Sequence, residues 1–273
     1  MAIVNSRAAI EPKTGKAAIF VNETIPSLMR KLFSNGEQGF FYDPNDLSTM
    51  YQDAAGTIPV TAVGQPVGLM KDKSGRNNHA FQTTSASRPI LRKNATTGAY
   101  YLAFDGVDDC LQTNNIDFTA TDKVSLFAGV NVLNTNSEVR ALLDFGERNI
   151  ELRSKDGIRV SSLAHASAAI NANQQAAVLL DSPSYVVVAK HSVPDKSAYI
   201  KVGTTTNSIT GDKGTGGFGN HVLFIGRRTV SMAGNNFLGN LYGLIGIGRL
   251  TTDSETIALE KAIAKNTGVT LNV

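Results

Sequence analysis

Asp105, Asp108 and Asp109 form the densest set of ligand-type side chains in the chain, gathered within five residues. Three carboxylates that close suit a hard cation such as calcium, which takes about six or more oxygen ligands. A tight turn accounts for the same residues without a metal, because Gly106 beside Asp105 is free to take a positive φ. Leu102 and Phe104 precede it at period two and share one face of a strand. Leu102, Phe104, Asp105 and Gly106 are therefore read as a strand-and-turn marker of the fold, and no metal is assigned.

Other chemistries find less support. Glycoside hydrolysis needs two carboxyl groups held a few ångströms apart, commonly at alternate positions of one strand. No Glu-x-Asp-x-Glu pattern occurs, and Asp144 and Glu147 straddle Gly146 at the wrong spacing for one strand face. The four histidines, His79, His165, His191 and His221, make no zinc spacing. The glycine-rich stretch from Gly211 to Gly219 lacks the Gly-Lys-Ser/Thr end of a phosphate loop, and no nucleophile elbow is present. Cys110, the single cysteine, has no base placed beside it and excludes an intrachain disulfide. The expectation is a chain with no catalytic residues, no cofactor and no enzymatic activity. Carbohydrate recognition asks for exposed aromatic platforms flanked by Asn and Asp. With no Trp and 7% aromatics, the candidate platforms are Tyr51, Tyr185 and Tyr199.

Those residues must be positioned by elements that 273 residues, 42% of them apolar, can build around a real core. The net charge is +3 and the basic residues are scattered, Arg227-Arg228 being the densest run, so nucleic acid is not an expected partner. The first residues lack the apolar core of a secretory signal, and Ala17 to Val21 is too short to span a bilayer. Synthesis in a cytoplasm without membrane insertion is expected.

Thr24 can cap a helix with Pro26 in its first turn, and Ile25, Leu28, Met29, Leu32 and Phe33 form one apolar stripe. A helix that short must pack on something, either an open face of its own domain or another subunit. Residues 1–38 are set apart as an N-terminal arm, with the stripe as its assembly surface. From Gly39 onward the pattern is strands and turns. Val124, Leu126, Ala128, Val130 and Val132 alternate with Ser125, Phe127, Gly129 and Asn131, as in a half-buried strand. Asp156-Gly157 marks a hairpin, and residues 164 to 177 read as a surface excursion. Thr252 and Glu255 make a capping box, Leu259, Ala262 and Ile263 an apolar face, and Gly268 a stop. About ten short strands with helices only at the ends predict an all-β antiparallel sandwich in one domain, residues 39–273.

Tyr101-Leu-Ala-Phe-Asp-Gly-Val-Asp-Asp109 resembles the opening strand and turn of the concanavalin A-like lectin/laminin-G-like jelly rolls, and Phe237 to Ile245 resembles their closing strand. Phe41-Tyr-Asp-Pro-Asn-Asp-Leu-Ser-Thr-Met-Tyr-Gln-Asp53, the Val60 to Leu69 segment and Asp72-Lys-Ser-Gly-Arg-Asn-Asn-His-Ala80 resemble a block of tailed-bacteriophage structural proteins of this class. The resemblance implies a jelly-roll β-sandwich with a helical arm and a C-terminal helix. It also implies a virion component of tail, fibre or head surface, assembled in the host cytoplasm. Such a component acts through contacts with other virion proteins, as a homo-oligomer with a trimer favoured. The alternative it implies is a receptor-binding module for host cell-surface glycans.

Overall fold

The period-two runs become strands because each buries one row of side chains and leaves the next row on the opposite face. The computed structural model describes residues 25–133, 138–146, 148–155, 159–167, 175–179, 184–229, 235–269 and 271. Within them the strands are β1 (Gly39–Tyr42), β2 (Met50–Tyr51), β3 (Leu69–Met70), β4 (Ala80–Phe81), β5 (Ile90–Lys93) and β6 (Tyr100–Asp105). There follow β7 (Leu111–Phe118), β8 (Lys123–Val132), β9 (Val139–Phe145), β10 (Ile150–Lys155), β11 (Arg159–Ala164) and β12 (Gln175–Leu179). The last are β13 (Ser184–Ser192), β14 (Ser197–Val202), β15 (Thr205–Thr210), β16 (Gly219–Ile225) and β17 (Leu238–Ile247).

They form two antiparallel sheets. An eight-stranded sheet runs β15-β14-β13-β8-β17-β6-β5, with β1 also paired to β17, and a nine-stranded sheet runs β12-β11-β10-β9-β16-β7-β4-β3-β2. Leu102, Phe104, Val124, Leu126 and Leu244 of the first sheet meet Leu111, Leu143, Phe145, Leu152 and Ile225 of the second in one core. The marker turn is as drawn from the sequence: Leu102 and Phe104 are buried, and Gly106 has φ 75°. The flanks of Asp156-Gly157 pair as a hairpin, Lys155 opposite Arg159, the turn itself lying outside the described residues. The surface excursion is corrected in part, since Gln175–Leu179 adds an edge strand beside β11.

Two helices, α1 (Ile25–Leu32) and α2 (Asp253–Thr267), lie against the outer face of the eight-stranded sheet. Thr252 accepts the Glu255 amide at 3.2 Å in a complete capping box, and Gly268 closes α2 in the left-handed region at φ 76°. Leu28, Met29, Leu32 and Phe33 join Phe41, Phe127, Ile245, Leu259 and Ile263 in a second apolar cluster. Of the two surfaces left open for the stripe, an open face of its own domain or another subunit, it packs on the chain's own sheet. The reason is physical: a helix of two turns holds its shape only against an apolar surface, and this sheet face supplies one. Of Ile25 the structure gives only its place at the start of α1, and residues 1–24 lie outside the described ones. Arg249 locks the arrangement, pairing with Glu37 at 3.0 Å and Glu255 at 2.7 Å while donating to the Leu32 carbonyl. The same cover buries β8 on both faces, so it is not the half-buried strand its alternation predicts. No described helix is long and apolar enough to cross a membrane.

The segments Phe41–Asp46 and Asp72–Asn78 form one hydrogen-bonded knot. Asp72 accepts the amides of Phe41, Ser74 and Asn78 at 2.8, 2.8 and 3.0 Å, and Asn78 Nδ2 donates to the Gly39 carbonyl at 2.7 Å. Lys73 pairs with Asp43 and Asp46 at 3.0 and 2.8 Å. These residues hold β1 to the loop before β4.

Candidate functional site: the outer face of the nine-stranded sheet

Residues opposite one another in an antiparallel ladder project to the same side, so the register identifies what each face displays. One unbroken row crosses all nine strands: Tyr51, Leu69, Phe81, Gln112, Phe224, Asp144, Glu151, Leu163 and Gln175. The alternate positions, Met50, Met70, Ala80, Leu111, Ile225, Leu143 and Leu152, belong to the core. The row therefore lies on the outer face, opposite the side that α1 and α2 cover. Cations sit over its aromatic rings, Lys71 Nζ 4.7 Å from the Tyr51 centroid and Arg227 5.7 Å from that of Phe224.

At one end of the row lies a charge cluster. The tight connection from β9 to β10 brings Asp144 opposite Glu151. Glu151 is wholly buried and meets three guanidinium groups: Arg228 at 2.5 Å, Arg153 at 3.0 Å and Arg148 at 3.5 Å. Those side chains keep 10%, 14% and 21% of their surface exposed, so they separate the carboxylate from solvent while facing it themselves. Arg153 also donates to Ser161 Oγ at 3.1 Å and to the Gln175 amide oxygen. Burial pulls the Arg153 guanidinium below its ordinary range, against the pull of Glu151, but an arginine so lowered stays charged. Asp144 accepts the Arg148 amide at 2.8 Å and the Thr229 amide at 2.9 Å. It thereby anchors both segments that carry the flanking arginines. Burial, together with Glu151, pushes the Asp144 carboxyl up to about 6 against those two hydrogen bonds.

The structure disperses the tyrosines singled out from the sequence. Tyr51 lies in the outer row, half-buried. Tyr185 is 2% exposed in the core and cannot act as a platform, because its neighbours in β13 and β8 face inward with it. Tyr199 is on the eight-stranded sheet beside α2, in an open cleft of about 390 Å³ with Lys190, Lys201, Asp253 and Glu260. The Asp144–Glu151 pair and the three arginines escape a search along single strands. The available signal is the short Phe145–Ile150 connection, which puts residue 144 opposite 151.

Elsewhere the acidic turn satisfies itself. Asp105 Oδ1 accepts the Val107 amide at 2.7 Å, and Asp109 accepts the Asp105 amide at 3.0 Å. Burial, with Asp105 and Asp108 close by, pushes Asp109 up to about 6. Ser162 Oγ and His191 Nε2 stand 2.8 Å apart, a nucleophile–base distance, but both are wholly buried between the sheets where no substrate reaches. His79 instead accepts the Asp72 amide at 3.0 Å, and His221 packs edge-on against Phe145.

No family profile and no curated protein matches the chain. Among solved structures, Trypanosoma rangeli sialidase in complex with sialic acid is 14% identical with a TM-score of 0.52, over 85% of this chain and 33% of the sialidase. A mutant of that sialidase displaying trans-sialidase activity is 13% identical with a TM-score of 0.51, over 86% and 34%. The CBM40 of Ruminococcus gnavus IT-sialidase bound to α2,3-sialyllactose is 14% identical with a TM-score of 0.40, over 55% and 97%. The chain spans about a third of the length of the sialidases it matches. The expectation of a non-enzyme is corrected here. It rested on finding no carboxylate pair along a strand, whereas the similar structures are of sialidases. At such identities the likeness is one of fold alone, and that fold is an all-β sandwich.

Proposed function

We propose that the chain is a carbohydrate-binding module that works through the outer face of its nine-stranded sheet. The observation that carries this reading is the part of the row that keeps some exposure, Tyr51, Leu69, Phe81 and Gln112 with Gln175 at its far end, on a face that no described helix covers. Sugars present C–H faces that stack on aromatic rings and hydroxyls that pair with planar polar groups, and such a row offers both. The finer fold assignment, a concanavalin A-like jelly roll, belongs to the same proposal. Its support is the way the chain passes between sheets, from β7 to β8 to β9 and from β15 to β16 to β17.

The setting we propose is a bacteriophage particle, with host cell-surface glycans as ligands and other virion proteins, including further copies of the chain, as neighbours. Its support is the Phe41–Asp53 and Asp72–Ala80 block quoted above. A glycan array probed with the folded chain tests the binding reading: specific signals support it, and a blank array refutes it. Detection of the chain in purified virions tests the setting independently, and its absence there removes the particle from the proposal.

A further inference from the structure

We infer that the β15 edge of the eight-stranded sheet is where a second copy of this chain docks, by antiparallel pairing of the two β15 strands about a two-fold axis. The inference gives a surface to the neighbouring copies proposed above and does not depend on glycan binding. It starts from the open edges of the two sheets. A terminal strand presents a row of unpaired N–H and C=O groups, and folded proteins close or guard such rows. At β5, Gly64 donates to the Leu91 carbonyl at 2.8 Å and the Leu91 amide to that of Gln65 at 2.9 Å. At β2, Val60 donates to the Met50 carbonyl and Gln52 to that of Ile58, at 3.0 and 2.7 Å. At β1, Phe41 donates to Asp72 and accepts from the Lys73 amide at 2.9 Å.

The β15 edge is left open. Among the described residues, no backbone group of Thr205–Thr210 bonds to anything outside β14. The strand also lacks the usual guards: Thr-Thr-Asn-Ser-Ile-Thr has no charge, no proline and no bulge against β14. Thr205, Thr206, Ser208 and Thr210 are exposed. Among the described residues β12 too has no backbone cover, but the Asn207 side chain donates to its Ala177 carbonyl at 2.8 Å and ties it to β15.

A second copy is the occupant this edge fits. Pairing β15 with itself offers about six backbone hydrogen bonds. Because the strand holds no charge, every register sets Thr, Ser, Asn or Ile opposite one another, and like charges never meet. The surface beside it is self-matching in the same way. Ser208 lies opposite Tyr199, and Thr206 opposite Lys201, whose charge is held by Glu260 at 2.9 Å. In the adjoining cleft Lys190 and Lys201 balance Asp253 and Glu260, and α2 adds Ile257, a large apolar residue 42% exposed. Such a contact is isologous and closes at two copies, not at the three that the resemblance favours.

Sedimentation equilibrium of the full chain, over a concentration series reaching about 0.1 mM, tests this. The parent should show a monomer–dimer equilibrium. Ser208→Lys puts a solvated charge on the edge of the free chain, so in dilute solution it should melt at the parent's temperature. Pairing brings that charge close to its two-fold mate and should weaken association at least ~100-fold. Leu179→Lys, on the β12 edge, should leave the dimer unchanged. Hydrogen exchange is the second readout. The β15 amides not bonded to β14 should be protected at high concentration and exchange freely at low, and in Ser208→Lys should exchange freely at both. A parent that stays monomeric, a trimer, an undiminished Ser208→Lys dimer, or dispersal by Leu179→Lys alone overturns the inference. A blank glycan array with a β15 dimer overturns only the carbohydrate reading, and glycan binding by a strict monomer overturns only this contact.

Discussion

Glu151 is wholly buried, and its energetics follow from the three arginines that touch it. Removing one partner of a buried ionic cluster leaves the others desolvated without compensation. Glu151→Gln should therefore lower stability by about 3–5 kcal/mol, read from the urea midpoint. Asp144 makes a different prediction, one of pH dependence. Its folded-state carboxyl titrates at about 6, above its ordinary value, so the folded chain holds that proton to higher pH than the unfolded chain. Its contribution is greatest below about pH 4 and is lost as pH rises to about 6. Asp144→Asn removes that dependence along with one amide acceptor, and the second loss is the same at every pH. Denaturation at about pH 4 and about pH 7 should show the variant's deficit against the parent shrinking by about 2–3 kcal/mol at the higher pH. A constant deficit would mean that Asp144 does not titrate in this window. None of this is visible along the sequence, where Asp144 and Glu151 stand seven positions apart and only the register joins them.

At the scale of elements, local signals were legible wherever a short-range rule decides the conformation. The capping box of α2 is an example, and Thr252→Ala should cost about 1 kcal/mol, seen as a lower melting temperature. How α2 sits is not local information. It crosses the sheet over a cross-strand glycine pair, Gly129 and Gly243, and a Cβ at Gly129 would come within 2.6 Å of Ile263 Cγ2. Gly129→Val should lift the helix and cost about 1–3 kcal/mol by overpacking, with faster amide exchange along α2 as the measurement. The α1 stripe was legible as a stripe but not in its target, since an amphipathic helix specifies that it packs and not on what. Leu32 is fully buried, so Leu32→Ala should lower the urea midpoint of the isolated chain by the equivalent of about 2–5 kcal/mol. A projecting arm would show no such loss.

For the molecule as a whole, the two sheets share a core but have unlike outer faces, one covered by helices and the other carrying the row from Tyr51 to Gln175, of which Phe224, Asp144, Glu151 and Leu163 are buried. If glycans bind that row, Tyr51→Ala should weaken binding several-fold, in keeping with an aromatic contact of about 1 kcal/mol, while Tyr199→Ala on the opposite side leaves it unchanged. By itself the sequence determined the all-β class, the marker turn at Leu102–Gly106, the strand alternation and the α2 caps, because periodicity, φ preference and capping act over a few residues. Only the tertiary structure decided which face β8 turns to the helices, where α1 packs, and that Asp144, Glu151, Arg148, Arg153 and Arg228 meet. Those outcomes depend on strand order and register, which join residues distant in the chain and are selected by burial of the whole sandwich at once.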